Sequence, residues 1–239
     1  MRESGTALRA DNLYASYTGA PILTGVDLEV GKQEIVAVLG RNGAGKTTLM
    51  RALMGVLIPR SGRIDLRGKD VTKLPAYRRA RLGIAYTPQG RMIFPRLTVL
   101  DNIRVGAVAT GKKVDRVVSE LLDAFPSLRP QVSKLGGSLS GGQQQLLAIA
   151  RAMATEPQIL LLDEPTEGVQ PTIVDEIIER LQALNKGRGT AMIVVEQNLE
   201  FAAVVASRAY LMNKGVMVTS LSMAELLQDK ALQHELMGV

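Results

Sequence analysis

Eight consecutive residues, Gly40-Arg41-Asn42-Gly43-Ala44-Gly45-Lys46-Thr47, match the pattern G-x-x-x-x-G-K-[ST] in full. Glycines at these positions let the backbone fold tightly, so that successive N–H groups point at phosphate oxygens. An apolar segment at 34–39 precedes the loop, and a helical pattern at 47–56 follows it. The helix therefore turns its positive N-terminal end toward the same anion. Lys46 can reach the β- and γ-phosphates of a nucleotide, and the Thr47 hydroxyl, with Thr48 beside it, can approach Mg²⁺ and phosphate. A chance glycine-rich turn would not carry both the complete motif and its strand–loop–helix setting.

A second constellation closes the apolar run 159–162 with two carboxylates, Asp163 and Glu164. An acidic pair at a strand tip is held rigidly, near where a loop after a neighbouring strand would place phosphates. Asp163 suits the Mg²⁺ shell through water, and Glu164 suits the polarisation of an attacking water. Two acids capping a strand would be unremarkable alone; with the phosphate loop they describe a hydrolase. A third segment, Leu139-Ser140-Gly141-Gly142-Gln143, starts a helix whose apolar residues continue at Leu146, Leu147, Ile149, Ala150 and Met153. Ser140 is a good N-cap, and the two glycines are expected to leave N–H groups bare at a positive helix end. One chain already has its phosphate loop, so this second anion site points to a phosphate clamped from another protomer.

The elements that must position these residues read as strands alternating with helices. Short alternating patterns over 8–13 and 23–30 suggest an antiparallel sheet near the N-terminus. From about 95 to 155 the pattern turns helical, and after Pro157 strand and helix alternate again. An α/β core interrupted by a helical insertion is the simplest account. The chain has 239 residues, enough for one large α/β domain, and no apolar run long enough for a membrane span. The opening residues Met1-Arg2-Glu3-Ser4-Gly5 carry no apolar signal core, and there is no cysteine. A cytoplasmic protein is expected. The 29 basic against 23 acidic residues leave a charge of +6, which could attract nucleic acid, anionic lipid or an acidic partner. Aromatics at 3% leave few stacking platforms for nucleic acid, and none is expected as a partner. The densest cationic cluster, Arg78, Arg79 and Arg81, reads as a solvated helix face.

The three motifs in this order resemble the nucleotide-binding subunit of ABC transporters, over nearly all of the chain. The resemblance implies a P-loop NTPase core with an N-terminal antiparallel β subdomain and an inserted helical subdomain. It divides one domain, 1–239, into a core at about 1–90 and 156–239 and a helical part at about 91–155. It makes Leu139 to Gln143 the signature that meets ATP bound on a second protomer, with ATP and Mg²⁺ as cofactors. It aligns Tyr17 with an aromatic that stacks on adenine. It aligns Gln89, in Tyr86-Thr87-Pro88-Gln89-Gly90, with a glutamine that touches Mg²⁺ and the water. Two departures stand out. Gln197 occupies the place of a histidine that contacts the γ-phosphate, while the one histidine, His234, lies near the C-terminus. Gln170 occupies the place of an aspartate used between protomers.

The runs Glu196-Gln197-Asn198, Gly90-Arg91-Met92-Ile93-Phe94-Pro95 and Glu167-Gly168-Val169-Gln170-Pro171 are similar to those of ATPases of branched-chain amino-acid and amide importers, the last run to the urea and short-amide branch. Such a subunit implies transmembrane permease partners, a second ATPase subunit (identical or related), and an extracytoplasmic solute-binding protein reached through the permease. It would sit at the inner face of the membrane. Met92, Ile93 and Phe94 are either its exposed contact with that partner or part of the core. The rival readings fare worse. A DNA-organising cassette inserts a long coiled coil between phosphate loop and signature, and a ribosomal one carries two cassettes; neither feature is present. A GTPase would need Asn-Lys-x-Asp, and Asn185-Lys186-Gly187-Arg188 and Asn213-Lys214-Gly215-Val216 lack the aspartate.

Overall fold

The computed structural model describes residues 5–108 and 113–237, so the opening residues 1–4 lie outside the described part. Two long N-terminal strands, β1 (Thr6–Ala15) and β2 (Leu23–Gly31), pair antiparallel, as their alternation predicts. Next comes β3 (Ile35–Leu39), buried at every position. Its chain turns through the glycine-rich loop into α1 (Lys46–Met54). β4 (Ser61–Leu66) returns to pair with β1, and the two-residue β5 (Lys69–Asp70) pairs with β4, giving the sheet order β2-β1-β4-β5. α2 (Ala76–Arg81) and β6 (Ile84–Thr87) bring the chain back to the core.

The predicted helical stretch holds α3 (Val99–Val108), α4 (Val114–Ala124), two short 3₁₀ turns at Pro126–Gln131 and Gly136–Ser138, and α5 (Gly141–Met153). The rest alternates β7 (Ile159–Asp163), α6 (Pro171–Arg188), β8 (Ala191–Glu196), α7 (Leu199–Val205) and β9 (Arg208–Asn213). A hairpin strand β10 (Val216–Ser222) and the helices α8 (Met223–Gln228) and α9 (Lys230–Met237) complete it, with the exposed His234 on α9. The second sheet has the order β10-β9-β3-β8-β7-β6, and β9, β3, β8, β7 and β6 run parallel.

Side chains that alternate along a strand face opposite sides of a sheet, so this buried sheet feeds two cores. Ile35, Ala37, Leu39, Leu160, Leu162, Met192 and Val194 join one cluster, with α3 to α7. Val36, Val38, Leu161, Ile193 and Val195 join the other, with α1 and the antiparallel sheet. The helical stretch thus shares a core with one face of the parallel sheet. Gly142 lets α5 approach α6 closely, since a Cβ there would stand 2.9 Å from the Ile173 side chain.

One expectation is overturned. Arg79 is not part of a solvated face: it is fully buried. Its guanidinium donates to the carbonyls of Ala52 (2.7 Å), Leu53 (2.8 Å), Thr72 (2.8 Å) and Leu74 (2.9 Å). Ala52 and Leu53 lie in the last turn of α1, where carbonyls run short of intrahelical donors, and a fork of N–H groups serves them as no apolar residue could. Burial pushes the guanidinium down to about 10.

Candidate active site

Four strands of the parallel sheet deliver the site at one edge. Their C-terminal ends lead to the loop 40–47 after β3, Gln197 after β8, Asp163 and Glu164 at the end of β7, and Gln89 after β6. Crevices at the carboxyl ends of parallel strands are where such sheets hold ligands. Gly40 lies so close to the β9 backbone that a Cβ would stand 2.2 Å from the Met212 carbonyl oxygen. Gly45 caps α1 at φ 105°, a conformation that glycine adopts freely. α1 has no acid in its first turn and no side-chain cap, so its N–H groups stay available to an anion. Thr48 is buried in that first turn.

Lys46 is buried and folds back over the loop, donating to the carbonyls of Gly40 (2.8 Å) and Arg41 (3.2 Å). Its ammonium also stands 3.4 Å from Glu164 Oε1. Glu164 holds φ at +49°, unusual for a residue with a Cβ, and its N–H donates to the Val195 carbonyl (2.9 Å). Backbone held in this region often marks a functional position. Its carboxylate accepts from Gln89 Nε2 (3.1 Å) and Gln197 Nε2 (3.2 Å). Lys46, Gln89 and Gln197, distant from one another in the chain, therefore converge on one carboxylate. The second N–H of the Gln89 amide goes to Glu167 (3.0 Å), which sequence reasoning did not single out.

Asp163 is buried beside them. One oxygen accepts from the Thr47 hydroxyl (3.2 Å), the other from the Tyr86 hydroxyl (2.9 Å). Desolvation raises its carboxyl, against the pull of the Tyr86 and Thr47 hydrogen bonds. Desolvation and the neighbouring Asp163 likewise push the Tyr86 phenol upward. A hydroxyl and a carboxylate in contact are the hard oxygen donors that Mg²⁺ takes alongside substrate phosphates and water. Among the described residues no cluster of three or more His, Cys, Asp or Glu is placed to hold a metal ion.

The signature segment refines its expectation. Ser140 does cap α5, but as half of a capping box: its hydroxyl accepts from the Gln143 N–H (3.3 Å), and the Gln143 side chain accepts from the Ser140 N–H (3.1 Å). The N–H groups of Ser140 and Gln143 are thus satisfied within the helix start. Gly141 and Gly142 remain without a recorded acceptor among the described residues. The Arg91 guanidinium lies against Gly141, within 2.8 Å of where a Cβ would be, and donates to the Gly168 carbonyl (3.4 Å). None of the hydrogen bonds of Ser140 to Gln143 reaches residues 40–47. Tyr17 stands half exposed in the β1–β2 connection, its hydroxyl accepting from Arg51 of α1 (3.0 Å) and its ring beneath that guanidinium (5.8 Å). The ring therefore flanks the helix that follows the phosphate loop. Gln170 precedes α6 as its N-cap residue, without a side-chain capping bond.

Known proteins agree with this geometry. The family described as ABC transporter matches residues 23–167. The high-affinity branched-chain amino acid transport ATP-binding protein BraG of Pseudomonas aeruginosa is 38% identical, over 97% of this chain and 99% of its own length. A protein described as a probable branched-chain amino acid transport ATP-binding protein, LivF of Archaeoglobus fulgidus, is 36% identical with the same coverage. The lipopolysaccharide export system ATP-binding protein LptB of Escherichia coli is 35% identical over 97% of each chain. Among solved structures, a nucleotide-free ATP-binding cassette from an ABC transporter superposes with a TM-score of 0.84 at 25% identity, covering 95% of this chain and 96% of the other.

Proposed function

Because this chain belongs to the ABC transporter family, as an ATP-binding subunit that hydrolyses ATP, we propose that it does so in a composite site and energises an importer. ATP lies with its phosphates on residues 40–47, against Lys46, Thr47 and the N–H groups from Gly40 through Arg41, Asn42, Gly43, Ala44 and Gly45 to Thr48. Its base stacks on Tyr17. When bound, Mg²⁺ neutralises the β- and γ-phosphate oxygens; Thr47, Asp163 and Gln89 are the residues that would hold it. Glu164 orients water for in-line attack on the γ-phosphorus, and the Lys46 ammonium stabilises the charge that spreads over the phosphate. Gln197 and Gln89 aim the Glu164 carboxylate. Glutamine offers hydrogen bonds without charge near neutral pH, so the role of Gln197 is positional. The convergence of Lys46, Gln89 and Gln197 on Glu164 carries this reading.

Ser140, Gly141, Gly142 and Gln143 complete the site of a second ATPase subunit, identical or related, and receive its γ-phosphate. The absence of any bond from this segment to the phosphate loop of its own chain supports such a division. The loop after Gln89 is the contact with transmembrane permease subunits. Met92 and Phe94 are exposed, 63% and 44%, whereas Ile93 packs on the core. Buried Asn102 grips the Phe94 backbone at both N–H and carbonyl, and Arg151 donates to the Met92 carbonyl (2.7 Å) with its guanidinium over the Phe94 ring (4.9 Å). Two apolar side chains presented on so firm a base suit a partner's surface.

No helix among the described residues is long and apolar enough to cross a membrane. In this reading the chain works at the inner face of the membrane through those partners, which receive solute from an extracytoplasmic binding protein. The relatives and the three sequence runs favour branched-chain amino acids, or urea and short amides, as the solute. The one-domain division at about 1–90, 91–155 and 156–239 belongs to the same reading. Isolation of the chain with its native partners tests it. Permease subunits of an importer are the expected companions; ribosomes, DNA or lipopolysaccharide-export components would overturn it.

A further inference from the structure

Glu196 is a second carboxylate at the edge of the sheet that the chemistry above does not use. It ends β8, is only 3% exposed, and has no recorded cation partner among the described residues. A buried carboxylate survives without a counterion only where donors surround it. Four do. Oε1 accepts from the Thr166 N–H (3.0 Å) and hydroxyl (2.7 Å), and Oε2 from the backbone N–H groups of Gln197 (3.1 Å) and Asn198 (3.4 Å).

These partners sit on both sides of Glu164. Thr166 lies two residues beyond it on the turn after β7, and the Gln197 side chain reaches Glu164 Oε1 from the loop after β8 (3.2 Å). Chain and hydrogen bonds therefore close a ring: Glu164, Thr166, Glu196, Gln197 and back to Glu164. A neutral Gln197 has no charge with which to draw Glu164 into place, so its backbone must be held for its amide to be aimed. We infer that Glu196 is a positioning residue for hydrolysis, fixing the Gln197 amide against Glu164 without touching nucleotide. This rests on the proposal that Glu164 orients the water.

In the full-length chain within its transporter, Glu196→Gln keeps the Thr166 side of the ring and loses an acceptor for Gln197 and Asn198. Thr166→Val removes the hydroxyl with little change in shape. Both should leave ATP affinity within about twofold and lower kcat by at least about tenfold, since about 1 Å of misplacement can cost about 10²-fold. Because Glu196 acts through Gln197, Glu196→Gln should cost little further in a Gln197→Ala background. Wild-type kcat in both single variants would overturn the inference, as would a loss confined to KM or single losses that multiply in the double variant. If Glu196→Gln fails to fold, Thr166→Val decides. Glu164→Gln, run alongside, separates the claims: if it turns over normally, the reading of Glu164 fails whatever Glu196 does.

Discussion

A carboxylate that receives an ammonium and two amides is not free to drift, and Glu164 receives Lys46, Gln89 and Gln197. Lys46 links this cluster to the phosphate loop, since the same ammonium donates to the carbonyls of Gly40 and Arg41. Lys46→Ala should weaken ATP binding by about 10–10²-fold, the equivalent of losing a charged hydrogen bond of about 1.5–3 kcal/mol. Equilibrium titration with a fluorescent ATP analogue reads this, and unchanged affinity would refute the phosphate-loop assignment. Gln197 gives a different test. Gln197→His would place beside Glu164 a group that titrates near pH ~6.5, so kcat should acquire a new pH-dependent step between about pH 5.5 and 7.5. A pH–rate profile that matches wild type would place residue 197 outside the reacting network. The phosphate loop and the acidic pair were legible because each motif is contiguous in the chain. Tyr86, Thr166, Glu167 and Glu196 were not, because their partners lie far away in sequence and meet them only in the fold. The run Met192, Ile193, Val194, Val195 ending in Glu196 repeats the apolar-strand-then-acid pattern that flags Asp163 and could have drawn attention.

At the scale of elements, most boundaries follow from local signals. Gly55 at φ 81° ends α1, Ser140 and Gln143 start α5, and Pro171 opens α6. The misread element is α2, where three arginines in four residues look like a wet surface. Only Arg79 turns inward, and nothing in the local pattern distinguishes it from Arg78 and Arg81. The carbonyls it serves lie on α1 and on the turn after β5, so tertiary contacts decide the matter. Arg79→Ala would strand buried acceptors and should cost about 3 kcal/mol or more by denaturant unfolding. Arg79→Lys should rescue little, because a point donor cannot span four carbonyls. Burial lowers the Arg79 guanidinium from its ordinary value to about 10, so the folded chain holds this proton less tightly than the unfolded one. The cost of charging it is fully present at neutral pH, and that contribution to stability recovers only as pH climbs above about 10 toward the ordinary guanidinium value.

The whole molecule joins two sheets and a helical part through two cores that share the central parallel sheet. That arrangement leaves the phosphate loop after β3 and Glu164 after β7, on either side of β8, and the signature at the start of a helix that packs on the opposite core. Fold class was readable because strand and helix periods alternate clearly and the motifs fall at their junctions. The net charge of +6 decided nothing about partners. In the proposed composite site the nucleotide that meets the signature is bound on a second chain, so local patterns in one chain do not set the distance between them. The most direct test of the composite hydrolytic site is Glu164→Gln in the presence of ATP, followed by turnover and by particle size. The account predicts retained ATP binding, a fall in kcat of about 10²-fold or more on removal of a general base, and accumulation of a closed pair of ATPase subunits. Wild-type turnover by this variant would contradict it.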